Sequence, residues 1–380
     1  MTRIFLLLLF GAAPAFAHDR TTSYSTWEIR GREARVSVRV ADLDVSRFPW
    51  GADAPARLGA YLTEHLRLFA GESACPVADG PRTLSPTPGR EVVEWSLRCP
   101  PDGGLRIESD LFLELAPSHL HFARIVGGPE RVLSDGERVW RLGGDASTGT
   151  SLASYVVLGV EHIATGYDHL AFLLALLLIA GSLGEVARVV TGFTAAHSVT
   201  LALAVLGWVR PERTAIEALI GLSIALVAVE NVWLVGERRR EVPILVTGAL
   251  GVLAVVAAIG VGRVPPLTLG GLALFAGSYF ALLGRLSRPG ALRWGLAFLF
   301  GLVHGFGFAG VLSDARLETG RLVHALLGFN VGVELGQLAV VAGVWPLLHL
   351  AMRRRVGLVE VGSAAVAGLG LFWFVTRAYG

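Results

Sequence analysis

The stretch Glu161-His162-Ile163-Ala164-Thr165-Gly166-Tyr167-Asp168-His169 leads without interruption into the apolar run Leu170 to Ile179. Four ionisable side chains therefore stand at the start of a segment apolar enough to enter a membrane. At 3.6 residues per turn, a step of seven residues nearly restores the same azimuth, so in a helix His162 lies under His169 and Glu161 under Asp168. Charged groups in hydrocarbon cost roughly 2.5–3.5 kcal/mol each, which indicates that these side chains serve a function.

The overall composition is that of a membrane protein. Hydrophobic residues make up 53% of the 380 residues, and the mean hydropathy is +0.58. All 33 basic residues are arginine, and 31 acidic residues leave a formal charge of +2. This balance argues against a nucleic-acid partner, which needs a basic surface stripe. A Gly-x4-Gly-Lys-Ser/Thr loop is absent from the sequence, so no nucleotide cofactor is expected.

The N-terminus is typical of a secretory signal peptide over residues 1–17. Arg3 precedes an apolar run from Ile4 to Phe10, and Ala15-Phe16-Ala17 provides a small-x-small cleavage site. The mature chain then begins at His18. Its amine and imidazole form a possible metal chelate, with His119 and His121 as helpers from one strand face; the plainer alternative is that His18 simply follows the cleavage site.

Residues 18–145 predict a small, exported, β-sandwich-like domain. Val36, Val38 and Val40 alternate with polar residues, and similar alternation follows at 93–97 and 107–115. A helix is predicted near Leu62, and Pro76 to Gly89 is predicted to be a loop. Cys75 and Cys99 both fall in this part, which predicts one disulfide in an oxidising compartment, with two free thiols as the alternative. Residues 146–153 are predicted to form a flexible linker.

Residues 154–380 predict a multi-span α-helical membrane bundle of about seven or eight transmembrane helices. Eight apolar segments are long enough, or nearly so, to span: 154–181, 188–208, 214–236, 242–262, 267–285, 292–313, 323–350 and 357–376. If the β domain is periplasmic, the inner loops carry ten arginines and the outer loops six. This asymmetry favours an inner-membrane protein with its N-terminal domain outside.

These segments contain an unusual set of polar residues. His162, Asp168, His169, His197, His304 and Glu334 are candidate metal ligands, and the supporting polar residues are Glu161, Ser198, Glu230, Asn231, Asn330 and Gln337. The carboxylates have no evident cationic partner at depth, because arginine occurs only near the segment ends. Imidazole together with carboxylate is a ligand set for divalent transition metals. The alternative is that these side chains only hold helices together.

The residues that are missing narrow the choice of metal. Methionine occurs only at positions 1 and 352, and neither cysteine lies in an apolar segment, so the soft ligands that favour Cu(I) are absent. Nickel, cobalt, zinc and manganese remain compatible with the ligand types.

The same motifs resemble the HupE/UreJ family of membrane proteins, in its larger branch with an exported N-terminal domain. The resemblance is carried by His162-x5-Asp168-His169, His197-Ser198, His304-Gly-Phe-Gly-Phe and the run from Phe329 to Gln337, and it covers about residues 155 to 345. It implies a permease for nickel or cobalt that supports metalloenzyme maturation, with His162, Asp168 and His169 as metal ligands.

We therefore expect a secondary transporter whose substrate is a divalent transition metal, nickel or cobalt, with zinc also compatible. Its expected partners are the lipid bilayer, the metal ion and a candidate periplasmic metal donor. Two other hypotheses stay open. One is a membrane-embedded zinc hydrolase, suggested by Ser198 beside His197. The other is a membrane-anchored periplasmic binding or sensor protein.

Overall fold

A computed structural model describes residues 21–46, 54–84, 90–101, 103–114, 116–117, 119–143, 151–286, 290–314, 319–354 and 357–379. The predicted signal peptide, His18 and most of the predicted linker lie outside these residues. Strands occupy the described part up to residue 141, and long helices follow from residue 152. The architecture is a small β domain followed by a helical membrane bundle, as predicted.

Two sheets form the β domain. The six-stranded sheet has the order β5-β6-β2-β1-β8-β9, and the four-stranded sheet has the order β10-β7-β3-β4. The strands are β1 (Thr22–Arg30), β2 (Glu33–Ala41), β3 (Leu66–Ala70), β4 (Ser73–Ala74), β5 (Val77–Thr83), β6 (Arg90–Arg98), β7 (Leu105–Ser109), β8 (Leu120–Ile125), β9 (Glu130–Leu133) and β10 (Val139–Arg141). Helices α1 (Asp42–Ser46) and α2 (Ala54–His65) complete the domain.

The core of this domain comes from the alternating residues. Val36, Val38 and Val40 are at most 1% exposed and pack with Trp27 and Trp95. The predicted disulfide between the two cysteines is confirmed. Two local predictions are wrong: β7 ends at Ser109 rather than continuing to residue 115, and the predicted loop at 76–89 contains β5, which pairs with β6.

Nine helices follow in the described part of the chain. They are α3 (Leu152–Thr165), α4 (Tyr167–Leu177), α5 (Leu183–Val205), α6 (Arg213–Val235), α7 (Glu241–Ala258), α8 (Pro266–Leu283), α9 (Gly290–Asp314), α10 (Thr319–Arg354) and α11 (Leu358–Tyr379). Six are long and apolar enough to cross a membrane, namely α5, α6, α7, α8, α10 and α11. Shorter apolar helices occupy the other two predicted segments: α3 and α4 lie in 154–181, and the apolar part of α9 lies in 292–313.

Close glycine contacts define how the helices run relative to one another. A Cβ on Gly328 would meet Leu152, and one on Gly332 would lie 2.0 Å from the Val156 carbonyl oxygen, so α3 and α10 run parallel. Helices α5 and α9 also run parallel, because a Cβ on Gly301 would meet Phe193 and one on Gly305 would meet His197. Helices α6 and α11 run antiparallel, since Gly221 meets Phe374 while Gly370 meets Ala225. These directions agree with eight alternating crossings in which α3 and α4 together form the first.

The β domain packs directly on the start of the bundle. Tyr24, Leu120 and Phe122 belong to one apolar cluster with Tyr155 and Leu158 of α3. The β domain therefore lies beside the helices that carry the opening sequence motif.

Candidate metal centre

A one-residue break in the helix organises the centre. Helix α3 ends at Thr165, α4 begins at Tyr167, and Gly166 joins them with φ −82° and ψ 90°. The Gly166 amide donates to the His162 carbonyl, and a Cβ at this position would lie 2.7 Å from that oxygen. Glycine therefore allows the two helices to meet closely.

Three histidines converge at this break. The Nε2 atoms of His162 and His169 are 2.9 Å apart. His197 of α5 joins them, and one ring nitrogen from each of the three lies within 4.8 Å of the others. His169 is 4% exposed and His197 is fully buried. Three imidazoles from three helices thus share one enclosed site.

This arrangement suits a divalent cation. When two neutral imidazoles form a hydrogen bond through their ring nitrogens, one nitrogen carries the proton and the other accepts it. A metal ion that binds both nitrogens displaces that proton. Ions bound at about 2.1 Å from each nitrogen hold adjacent ligands roughly 3.4 Å apart in a tetrahedral site. A widening of a few tenths of an ångström therefore accommodates such an ion between His162 and His169.

Asn330 of α10 orients the third histidine. Its Oδ1 lies 3.3 Å from Nδ1 of His197, so Nδ1 carries the hydrogen in this contact. The Nε2 atom of His197 is then left as the lone-pair nitrogen, and it makes no hydrogen bond within the described residues. A histidine whose second nitrogen is held in this way is a well-oriented metal ligand.

His304 lies beside the three histidines rather than among them. Its ring centroid is 5.3 Å from that of His169, and its Nε2 lies 3.1 Å from the hydroxyl of Ser223 on α6. The remaining Nδ1 makes no hydrogen bond within the described residues. His304 is therefore placed to take part if the cluster rearranges around an ion.

The two carboxylates of the opening motif take different positions. Asp168 accepts a hydrogen bond from the backbone amide of His169 at 2.8 Å, and its charge acts on His169 and His304. Glu161 instead lines a cavity of about 440 Å³ between the β domain and the helix break, together with His119 and Asp135. The cavity places aqueous space next to the residue that precedes His162.

The polar stripe of α10 contacts α5 at three points. Besides the Asn330 contact, Glu334 accepts from Thr191 at 2.6 Å, and Gln337 accepts from Thr194 at 2.8 Å. These contacts place Glu334 and Gln337 outside the three-histidine cluster. Ser198 donates to the Thr194 carbonyl oxygen and so is also directed away from the cluster.

Glu230 corrects the expectation that the buried carboxylates lack cationic partners. Its Oε1 lies 3.4 Å from Nε of Arg293, and these side chains are 1% and 7% exposed. The sequence places Arg293 near a loop, but α9 begins at Gly290 and carries it into the bundle. Asn231, the neighbour of Glu230, donates to the Ala175 carbonyl oxygen at 2.6 Å and ties α6 to α4.

His119, just before β8, and His121, within β8, form a separate buried ladder with hydroxyls of Thr21 and of β1. His119 contacts Thr21 at 2.6 Å and Ser23 at 2.8 Å; His121 contacts Ser23 and Ser25, each at 2.7 Å. Burial lowers the pKa of His121 to about 3, and burial with the neighbouring His121 holds the pKa of His119 well below its usual value. With both ring nitrogens of each histidine engaged, the ladder leaves them no nitrogen to help His18 bind a metal.

Several site residues could not be identified from the sequence. Ser223, Thr191 and Thr194 are ordinary polar residues inside apolar segments, and their partners are 81 to 143 residues away. Phe308 and Phe329, which stack at 4.3 Å and contact His162, fall within the motifs that carry the family resemblance, but the sequence does not indicate that they pack on that histidine.

Membrane-length helices and a buried histidine cluster define a multi-pass membrane protein with a candidate metal centre. The profile of the HupE / UreJ protein family matches residues 140–261 and 252–377, which together make up more than half of the chain. The chain belongs to the HupE/UreJ family. No curated protein sequence matches it.

Proposed function

We propose that this protein is a secondary transporter whose substrate is a divalent transition metal, with nickel or cobalt as the favoured ions. The observation that carries the proposal is the meeting of His162, His169 and His197 within 4.8 Å in the interior of a membrane bundle. Imidazole ligands suit nickel, cobalt and zinc, and the two cysteines are joined in a disulfide away from the site. The family resemblance favours nickel or cobalt among these ions.

The surroundings of the cluster support transport rather than permanent binding. The cavity beside Glu161 brings open space on the side of the β domain to the residue next to His162. A glycine break between two half-helices is a recurring feature of transporter ion sites, because it frees backbone groups near the bound ion. The arginine distribution supports a periplasmic β domain and therefore an entrance on that side of an inner membrane.

The hydrolase alternative loses its specific motivation, since Ser198 bonds to a backbone carbonyl and not to the cluster. A zinc hydrolase would retain a stoichiometric metal through purification, whereas a transporter must release its ion. The sensor alternative requires no ion movement at all. Measurement of both retained metal and transport therefore separates the three functions.

The direct experiment is uptake of radioactive nickel by proteoliposomes. The wild-type protein should load the vesicles above the level of protein-free liposomes, and His169→Ala should remove most of this uptake. His324→Ala is the matched control, because His324 is an exposed histidine of α10 that is not part of the three-histidine cluster. Equal uptake by the wild type and His169→Ala contradicts the proposal.

A further inference from the structure

A second buried polar layer lies near the starts of α5 and α9, several turns before the histidines of those helices. Arg293, in the first turn of α9, stands between Glu230 of α6 and Glu185 at the start of α5. Its Nε is 3.4 Å from Glu230, and its terminal nitrogen is 3.7 Å from Glu185. Glu185 precedes His197 by twelve residues of helix, which is about 18 Å. One guanidinium thus connects three helices at a level well separated from the metal centre.

The pairing in this layer is loose. The facing atoms, Nε of Arg293 and Oε1 of Glu230, make no hydrogen bond within the described residues. The hydroxyl of Tyr279 on α8 lies close enough to Glu230 to act on it as a hydrogen-bonding group, but its geometry is not that of a regular hydrogen bond. Buried ion pairs recover their desolvation cost only when hydrogen bonds satisfy both partners. Stability alone is therefore a weak reason for keeping this pair.

Two aromatic rings pack against His304 next to the three-histidine cluster. Phe172 and Phe193 are each 1% exposed, lie 4.9 Å apart and both contact His304. Helices α6 and α9 are thus linked twice, by Ser223 with His304 near the cluster and by Glu230 with Arg293 in the second layer. His304 and Arg293 stand eleven residues apart, or three helical turns, on one face of α9. Helices α6 and α9 therefore contact each other both at the histidines and at the Arg293 layer.

We infer that Arg293, Glu230 and Glu185 form an inner gate. In the closed gate Arg293 is paired with Glu230, and a departing divalent cation must replace Arg293 at that carboxylate. This inference rests on the proposed transport function. Arginine stays charged at all physiological pH values, so in the closed layer Arg293 neutralises Glu230, and a divalent cation reaches that carboxylate only by displacing Arg293. Glu185 is 29% exposed and gives Arg293 another partner. Arg293 can therefore leave Glu230 without losing all of its pairing.

Thiol accessibility tests whether this layer is a gate. Ala297 is 1% exposed and lies one turn beyond Arg293 on α9. Because the only cysteines are joined in the disulfide, Ala297→Cys adds the single free thiol. Its reaction with a negatively charged methanethiosulfonate is measured on the purified full-length protein. The backgrounds are wild type, Arg293→Gln, Arg293→Lys, and Arg293→Gln combined with Glu230→Gln.

We expect the reaction rate to rise about tenfold in Arg293→Gln and in the double variant, a change of about 1.4 kcal/mol in the opening equilibrium. Arg293→Lys keeps the charge and should stay within about threefold of wild type. The double variant carries no uncompensated buried charge, which keeps the test valid if Arg293→Gln folds poorly. A double variant with the wild-type rate shows that the pair only holds helices together and overturns the gate.

Nickel binding and nickel uptake distinguish failure of the gate from failure of the proposed function. In the double variant, calorimetry should give a Ni²⁺ affinity within about threefold of wild type, while the initial uptake rate falls at least tenfold. Unchanged uptake overturns the gate and leaves the transport proposal standing. A wild-type protein that binds no Ni²⁺ and shows no uptake overturns the transport function, and with it the cation role of Arg293.

Discussion

The Nε2 atoms of His162 and His169 lie 2.9 Å apart across the helix break at Gly166. Each ring comes from a different half-helix, so a change in the angle at Gly166 changes this distance directly. His197 completes the cluster from α5. Under the proposed function, metal affinity is coupled to the geometry of the break, and a change at Gly166 provides a way for the site to bind an ion and later release it.

Loss of any one of the three histidines should weaken metal binding strongly. We expect His162→Ala, His169→Ala and His197→Ala each to lower the Ni²⁺ affinity by more than about 100-fold, since even residues that only orient ligands contribute 10- to 100-fold. Calorimetry on purified protein measures this change. His349→Ala serves as the control because His349 stacks on Trp345 outside the cluster. Comparable losses in the control and in all three variants would contradict the assignment.

Asn330 should matter more for metal binding than Gln337, although both lie on one stripe of α10. Asn330→Ala removes the contact that orients His197 and should weaken Ni²⁺ binding by about 10- to 100-fold. Gln337→Ala removes only the contact with Thr194 and should leave the affinity within about threefold of wild type. The reverse order of effects would move the site toward Glu334.

The close packing of α3 on α10 predicts a difference between two glycines of one helix. Gly332→Ala places a methyl group 2.0 Å from the Val156 carbonyl oxygen and should destabilise the protein by about 1–3 kcal/mol. Gly343→Ala is the matched control, since nothing lies within 4 Å of its added Cβ. Thermal unfolding in detergent should show a lower midpoint for Gly332→Ala alone. Equal midpoints for the two variants would contradict the packing of α3 on α10.

The opening motif shows what a sequence can and cannot reveal here. The seven-residue spacing predicts that His162 and His169 lie together, and they do, although the helix is interrupted between them. The disulfide and the membrane bundle followed from composition and are confirmed. The partner of Glu230 was missed because the start of α9 decides whether Arg293 is in a loop or inside the bundle, and helix ends are weakly encoded. Contacts such as Thr191 with Glu334 depend on tertiary packing and leave no local pattern.

The histidine ladder predicts acid sensitivity in the β domain. The folded-state pKa of His121 is about 3, below the unfolded value of 6.5, so the unfolded chain binds more protons between these values. The contribution of neutral His121 to the free energy of unfolding is therefore fully present above about pH 6.5. It is lost as the pH drops towards 3, by up to about 1.4 kcal/mol per pH unit.

Hydrogen exchange of the full-length protein, corrected for intrinsic rates, can follow this effect. Amides of β1 and β8 should lose protection as the pH falls from 6.5 to 4.5. His121→Gln keeps hydrogen-bonding groups but does not titrate, so it should reduce the pH dependence. Protection in the wild type that is constant over this range would show that burial of the neutral histidines does not control stability.

X-ray absorption spectroscopy of the nickel-loaded protein is the sharpest test of the three-histidine site. Nickel bound by His162, His169 and His197 should show a first shell of nitrogen and oxygen atoms with the outer-shell scattering of two or three imidazoles. The imidazole signal should fall by one ligand in His169→Ala and stay unchanged in His324→Ala. A spectrum of oxygen ligands without imidazole, or one that His169→Ala does not alter, would contradict the assignment of His162, His169 and His197 as the metal centre.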